Sequence, residues 1–215
     1  MAHGKRDDGT APYLSDDETV HLTEIYKDAK VILEYGAGGS TRIAAAMPGK
    51  LVISVESDRN WALNLQAEID GSDPNSRVIV HPVDIGEVGP WGRPISETAW
   101  RRFHRYPLGI WEEPYFRHPD VVLIDGRLRV ACLATLLLRI ERPITVLFDD
   151  YDVRPLYQSI ESIVKPKFMI GTMAHFELEP NMVEKRDIGF LISRFFIGSI
   201  HGTGEQFYEP PDFEW

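Results

Sequence analysis

The segment Val31 to Ser57, VILEYGAGGSTRIAAAMPGKLVISVES, constrains the fold more than any other stretch of the chain. It reads as an apolar strand ending at Glu34, a glycine-rich turn, a small-residue helix from about 40 to 46, and a second apolar strand over 51 to 56. Glycines at 36, 38 and 39 let the backbone turn tightly and approach a ligand closely. Glu56 follows Gly36 by twenty residues, where a carboxylate can accept both hydroxyls of a ribose. The segment is half of a nucleotide-type binding site.

The same alternation continues. A helix over about 58 to 69 and a strand over 77 to 83 follow, with Asp73-Pro74-Asn75 marking the turn between them. DVVLIDG at 120 to 126 and ITVLFDDY, ending at Asp149 and Asp150, are further apolar strands separated by the helical run VACLATLLLRI. Strands that read as unbroken apolar runs between helices imply a parallel sheet covered on both faces. Ser15 with Glu18 three positions later is a capping-box pattern and predicts a helix start near 15. A helix is expected over 155 to 164. KFMIGTMAHFELE and DIGFLISRFF, separated by a polar stretch containing Pro180 and Asn181, read as two strands of a closing antiparallel hairpin. Residues 1 to 14 read as a disordered lead and 15 to 215 as one domain, a size that buries roughly 70% of the unfolded surface. Residues 85 to 118, rich in Trp, Arg, Pro and Gly, form an insertion before the fourth strand with a short helix expected around 96 to 105.

Composition narrows the classes. No apolar run approaches the ~20 residues of a membrane span, and the polar start MAHGKRDDGTAP lacks the core of a signal peptide. The one cysteine, Cys132, lies in an apolar run and reads as a buried small hydrophobe. A cytoplasmic protein is expected. Its net charge of −10 argues against broad binding to nucleic acid or an anionic membrane, while leaving room for a local basic site.

Two ligand classes can use the glycine loop. A dinucleotide fingerprint needs a glycine where this chain has Thr41, and Glu34 just ahead of the turn would oppose a pyrophosphate. The same carboxylate favours a ligand carrying an ammonium and a sulfonium, which points to S-adenosylmethionine. An acid followed by x-G-x-G-x-G/S/A, met here by Glu34, Gly36, Gly38 and Ser40, resembles the first motif of the class I S-adenosylmethionine-dependent methyltransferases. That resemblance covers about residues 15 to 198. It implies a Rossmann-like α/β three-layer sandwich whose mostly parallel seven-stranded sheet ends in an antiparallel hairpin. It also implies that Glu34, Tyr35, Gly36, Ala37, Gly38, Gly39 and Ser40 surround the methionine end of the cofactor. On the same footing, Glu56 and Ser57 hold the ribose, Asp84 meets the adenine amino group, and Asp125 lies near the reacting methyl. Each of the last two has a plainer reading: Asp84 as a solvated strand end or helix cap, Asp125-Gly126 as a turn.

Methyl transfer from a sulfonium needs mainly an aligned nucleophile and, where necessary, a base. Asp125, Asp149 and Asp150 collect at the carboxyl edge of the sheet as catalytic candidates. They read either as a general base with supporting carboxylates or as a divalent-metal site similar to that of catechol-type O-methyltransferases. The second reading meets Asp149-Asp150 where that family has Asp-Asn, so no metal ligand is assigned. Trp91, Trp100 and Trp111 offer flat walls for a substrate. Arg101, Arg102, His104 and Arg105 form a cationic cluster suited to an anion, and Arg127 and Arg129 lie closer to the expected site. From these, Trp91, Arg101, Arg105 and Arg127 are the substrate candidates. The expected partner is a small or medium anionic acceptor, and the aromatics of the insertion and of the tail FYEPPDFEW make a homo-oligomer plausible. His81 and His175 read as structural, and His118 reaches a site only if the insertion folds over it. The chain has neither zinc spacing nor a GxSxG elbow. A nicotinamide or nucleotide-sugar oxidoreductase, and a catalytically silent binding protein on the same fold, are the competing readings.

Overall fold

The computed structural model describes residues 12 to 196. Helix α1 (Asp16–Asp28) opens on the expected capping box, with Ser15 and Glu18 bonded reciprocally. Then follow β1 (Val31–Tyr35), α2 (Gly39–Ala46), β2 (Leu51–Glu56), α3 (Arg59–Gly71) and β3 (Arg77–Pro82). The insertion carries two one-turn helices, α4 (Trp100–Phe103) and α5 (Arg105–Leu108), flanked by 3₁₀ turns. Strand β4 (Val121–Ile124), α6 (Arg129–Arg139), β5 (Ile144–Phe148), α7 (Pro155–Gln158), β6 (Phe168–Ile170), β7 (Met173–Leu178) and α8 (Ile188–Arg194) complete it.

The sheet has seven strands in the order β3-β2-β1-β4-β5-β7-β6. Its first five strands are parallel, and β7 runs antiparallel to both β5 and β6. Strand alternation sorts the core into two layers. Leu33 and Tyr35 of β1 face the layer built with the insertion, α6, α7 and α8. Ile32 faces the layer built with α1, α2 and α3. The result is the expected Rossmann-like sandwich, with the order reversing at β1 and β4, where such sheets hold ligands beyond the strand ends.

One expectation is overturned. DIGFLISRFF is not a strand: it contains α8, whose Leu191 is buried while Ile188 and Ile192 stay exposed. Both hairpin strands come from KFMIGTMAHFELE. They are joined by Gly171-Thr172, with Gly171 at φ +55°. That tight turn is fixed from outside: Glu18 Oε1 accepts the Thr172 amide at 2.7 Å and its hydroxyl at 2.9 Å. Of the expected lead, residues 1 to 11 lie outside the described residues, as does the tail FYEPPDFEW. Tyr13 packs at 5.4 Å between ring centres against Trp91 of the insertion. No helix among the described residues is long and apolar enough to cross a membrane.

Candidate active site

A cavity of about 560 Å³ opens at the carboxyl edge of β1, β2, β4 and β5. Its floor is the turn Gly36 to Ser40, one wall is Glu56, Asp58 and Trp61, and the opposite wall is Asp125 to Arg127 with Arg129, Asp149, Asp150 and Arg154. The insertion supplies Trp91, Gly92, Arg93 and Tyr106, and Pro12 and Tyr13 reach the rim. Among the described residues, five non-glycines have left-handed φ. Two of them, Trp91 and Asp150, line this cavity, and a third, Leu128, sits between two arginines that do. Each such residue carries backbone strain of about 1 to 3 kcal/mol, and strain of this kind gathers at functional sites.

The glycine turn is held from behind. Glu34 is fully buried, and Tyr26 donates to its Oε1 at 2.9 Å while Thr41 and Ser54 donate to its Oε2 at 2.6 Å each. Burial pushes this carboxyl upward, and its hydroxyl donors pull it back. Thr41 Oγ1 in turn accepts the Gly38 amide at 3.0 Å. Thr41, which stands where a dinucleotide fingerprint would have its third glycine, therefore links Glu34 to the loop. From the other side, Trp61 Nε1 donates to the Ala37 carbonyl at 2.7 Å. Gly36, at φ +110°, lies so near the β4 turn that a Cβ would fall 2.8 Å from the Gly126 amide nitrogen.

Glu56 caps the next turn. Its Oε1 accepts the amides of Ser57 at 2.6 Å and Asp58 at 2.8 Å, whereas among the described residues Oε2 takes only a long contact of 3.3 Å from Ala37. Oε2 keeps lone pairs for an incoming hydroxyl. Ser57 Oγ lies 3.2 Å from the same Oε1 and donates to the Gly92 carbonyl at 2.9 Å, which ties the insertion to this wall.

Across the cavity the three aspartates meet a guanidinium. Arg129 Nη2 binds Asp125 Oδ1 at 2.9 Å, and Nη1 lies 3.3 Å from Asp150 Oδ2 and 3.8 Å from Asp149 Oδ2. The same Nη1 also donates to the Asp149 main-chain carbonyl. Burial works against the Arg129 charge, but Asp125, Tyr157, Asp149 and Asp150 hold it above the usual range. Asp149 is pushed the other way for an acid. Burial and the neighbouring Asp125 charge raise it far above the carboxylate range, against the pull of Arg129, and its side chain hydrogen-bonds that of Asp125. Among the described residues no group of three or more His, Cys, Asp or Glu is placed to hold a metal ion.

Of the sequence candidates, Gly36, Ala37, Gly38, Gly39, Ser40, Glu56, Asp125, Asp149, Asp150, Arg127 and Trp91 line the cavity. Six other candidates stand elsewhere, each for a physical reason. Glu34 shares the Ile32 face of β1 and supports the loop without lining the cavity. Tyr35 points to the opposite layer, where its hydroxyl donates to the Pro107 carbonyl at 2.7 Å and accepts Trp111 Nε1 at 2.9 Å. Ser57 is engaged with Gly92. Asp84 is exposed, and its carboxylate is taken by Arg102 at 2.8 Å and the Gly86 amide at 2.8 Å. Arg101 stacks on Trp100, and Arg105 lies on the exposed face of α5. His81 pairs with Tyr115, His175 with His21 and Glu177, and His118 accepts the Glu141 amide beyond α6.

Sequence reading missed Tyr106, Trp61, Arg93 and Arg154. Tyr106 is fully buried, donates to the Val55 carbonyl at 3.2 Å and accepts the Arg127 amide at 3.4 Å. Trp61 carried a local signal, three positions after the Asp58 helix cap. Arg154 follows Asp150 by four positions, and Tyr106 and Arg93 are brought in by the insertion.

This fold and this site define a class: the chain belongs to the class I S-adenosylmethionine-dependent methyltransferases. It is 43% identical to a methyltransferase-like protein from Silicibacter pomeroyi DSS-3, aligned over 85% of this chain and 95% of that one, with a TM-score of 0.81. An O-methyltransferase from Bacillus cereus in complex with SAH is 17% identical over 76% of this chain and 80% of that one, with a TM-score of 0.49. A dimethyladenosine transferase from Plasmodium falciparum is 14% identical over 64% and 42%, with a TM-score of 0.40. Likenesses as distant as these two carry no argument about ligand or substrate. No protein-family model and no curated protein matches the chain.

The cofactor that the family implies fits the residues present. Among the described residues nothing lies within 4 Å of where a Gly38 Cβ would stand, so the loop leaves open space there. Glu56 Oε2 has an acceptor to spare at the same wall, and the volume is that of a small-molecule site.

Proposed function

We propose that the protein transfers the methyl group of S-adenosylmethionine to a small or medium acceptor bearing an anionic group. The observation that supports this most is that one cavity joins a donor half, Gly36 to Ser40 with Glu56, to an acceptor half containing Asp125, Arg127 and Asp149. In this reading Gly36 to Gly39 carry the methionine end of the donor and Glu56 Oε2 receives its ribose. The bound donor supplies an already activated methyl. The chain's own task is to align the acceptor and take its proton. Asp125 is the base assigned here. It borders the cavity, is fixed by Arg129, and shares a hydrogen bond with Asp149, so a proton leaving the acceptor enters an existing carboxyl pair. Asp150 completes the charge balance around Arg129 and Arg154.

Calorimetry with S-adenosylhomocysteine and with NAD⁺ tests the class of ligand: binding of the first without the second is expected, and the reverse would overturn the proposal. Glu56→Ala should weaken S-adenosylhomocysteine by about 1 to 3 kcal/mol, the cost of leaving ribose hydroxyls unpaired. An unchanged dissociation constant would move the ribose elsewhere.

A further inference from the structure

Among the described residues four arginines line the cavity, and two of them have carboxylate partners. Arg129 is bound to Asp125 at 2.9 Å and Arg154 lies 3.6 Å from Asp150. Arg93 and Arg127 differ. Neither guanidinium makes an ion pair or a hydrogen bond with any described residue, and the Nε of each is buried without a partner. Burying a guanidinium N–H in this way is costly unless an acceptor arrives. Burial first, then the Arg129 and Arg93 charges, push Arg127 below the usual guanidinium range, against Tyr106 and Tyr157.

Both side chains are presented by fixed backbone. Arg93 ends the turn Pro90–Gly92, which is closed by the Gly89 amide on the Arg93 carbonyl at 2.8 Å and by the pairing of Val88 with Pro94. Gly92 is seated on Ser57, where a Cβ would meet Oγ at 2.3 Å. Arg127 follows Gly126 and precedes the left-handed Leu128, and its amide is held by Tyr106. A fork of donors on a rigid support is what bidentate recognition of an oxyanion requires.

The charge arithmetic selects the occupant. S-adenosylmethionine has one carboxylate beside an ammonium and a sulfonium, so it cannot neutralise two guanidinium groups. Its ammonium and sulfonium belong to the methionine end, carried in this reading by the Gly36 to Gly39 turn, and leave only that one carboxylate for a guanidinium. We propose that Arg93 and Arg127 form the anchor of the acceptor, and that the anchored group is dianionic and tetrahedral, a phosphate monoester. This rests on the methyltransferase reading only in calling the bound molecule the acceptor. The anion site itself stands on the two unpartnered arginines.

The test uses inorganic phosphate as probe at pH 8, where it is chiefly the dianion. It is titrated calorimetrically into the full-length protein with and without saturating S-adenosylhomocysteine, with acetate as the monoanion control. Phosphate is expected to bind at least about tenfold more tightly than acetate. Arg93→Gln and Arg127→Gln should each weaken phosphate by about tenfold or more and leave the S-adenosylhomocysteine constant within about twofold. Phosphate no tighter than acetate, or unaffected by Arg93→Gln, overturns the proposal. So does a parallel loss of S-adenosylhomocysteine affinity, which would give the arginines to the donor's carboxylate. If Arg127→Gln fails to fold, Arg93→Lys, which keeps the charge and loses the fork, gives the same reading through an intermediate loss. Phosphate binding in a protein that ignores S-adenosylhomocysteine would sink the methyltransferase proposal and leave the anion site standing.

Discussion

Thr41→Val tests the idea that the glycine loop is held from within the protein core. Valine is nearly isosteric with threonine, so the change removes one hydroxyl and little else. That hydroxyl donates to Glu34 Oε2 at 2.6 Å and accepts the Gly38 amide at 3.0 Å. Glu34 is fully buried, so its lost donor is not replaced by water. A hydrogen bond to a charged group contributes about 1.5 to 3 kcal/mol and a neutral one about 1, so the expected loss is about 2 to 4 kcal/mol. For a chain of this length that lowers Tm by about 5 to 15 °C. Thr41→Ser keeps both bonds and should cost only about 1 kcal/mol for the missing methyl. Urea denaturation followed by circular dichroism gives both values. The sign with pH is also fixed. Burial already raises Glu34, and losing a donor raises it further, so the variant's deficit should narrow as the pH falls and the carboxyl is protonated in both proteins. Calorimetry should show S-adenosylhomocysteine weakened by about fivefold or more as the loop loosens. A Thr41→Val protein within about 0.5 kcal/mol of the parent would refute the account of how the loop is held.

Asp149→Asn should flatten the pH dependence of stability. Asp149 is raised in the folded state, so its contribution is complete below about pH 4 and is lost as pH rises toward the folded value, by at most about 1.4 kcal/mol per unit. Between pH 5 and 8 the parent should lose stability relative to the variant, and parallel profiles would contradict the raised Asp149 carboxyl. Gly38→Ala should leave unfolding within about 0.5 kcal/mol, because no atom of the described residues lies within 4 Å of the new Cβ, yet weaken S-adenosylhomocysteine; a loss of stability would count against it. Gly126→Ala should destabilise by about 3 kcal/mol or more, since its Cβ would lie 2.8 Å from both Gly36 N and the Tyr35 carbonyl. Adding Tyr106→Phe should not rescue it, because those clashes are with backbone; full rescue would mean that only the hydroxyl at 2.1 Å matters.

What could be read from sequence was local. The β1-α2-β2 unit declares itself because apolar runs, glycines and a strand-ending acid fall within twenty-seven consecutive residues. The capping box at Ser15 is legible for the same reason. DIGFLISRFF misled because a short apolar run does not separate strand from helix, and the true hairpin was hidden by a two-residue turn whose anchor, Glu18, is 154 positions away. Glu34 and Asp84 both end strands, as site carboxylates do. One faces a helix layer and the other is claimed by Arg102, and neither fact is written near it in the chain. Arg93 is invisible in sequence for the same reason, since its setting is made by Ser57 and Arg127.

Tyr106 gives the insertion a role beyond roofing the cavity. Its single hydroxyl touches the end of β2 through Val55 and the loop after β4 through Arg127, and its neighbours reach Tyr35 on the strand between them. Anyone transplanting a different 85 to 118 segment to change the acceptor would remove this staple and loosen the donor half at the same time. A working chimera must keep Tyr106 and Trp111 in register with the host sheet, and selectivity is then open to redesign only in the turn around Arg93.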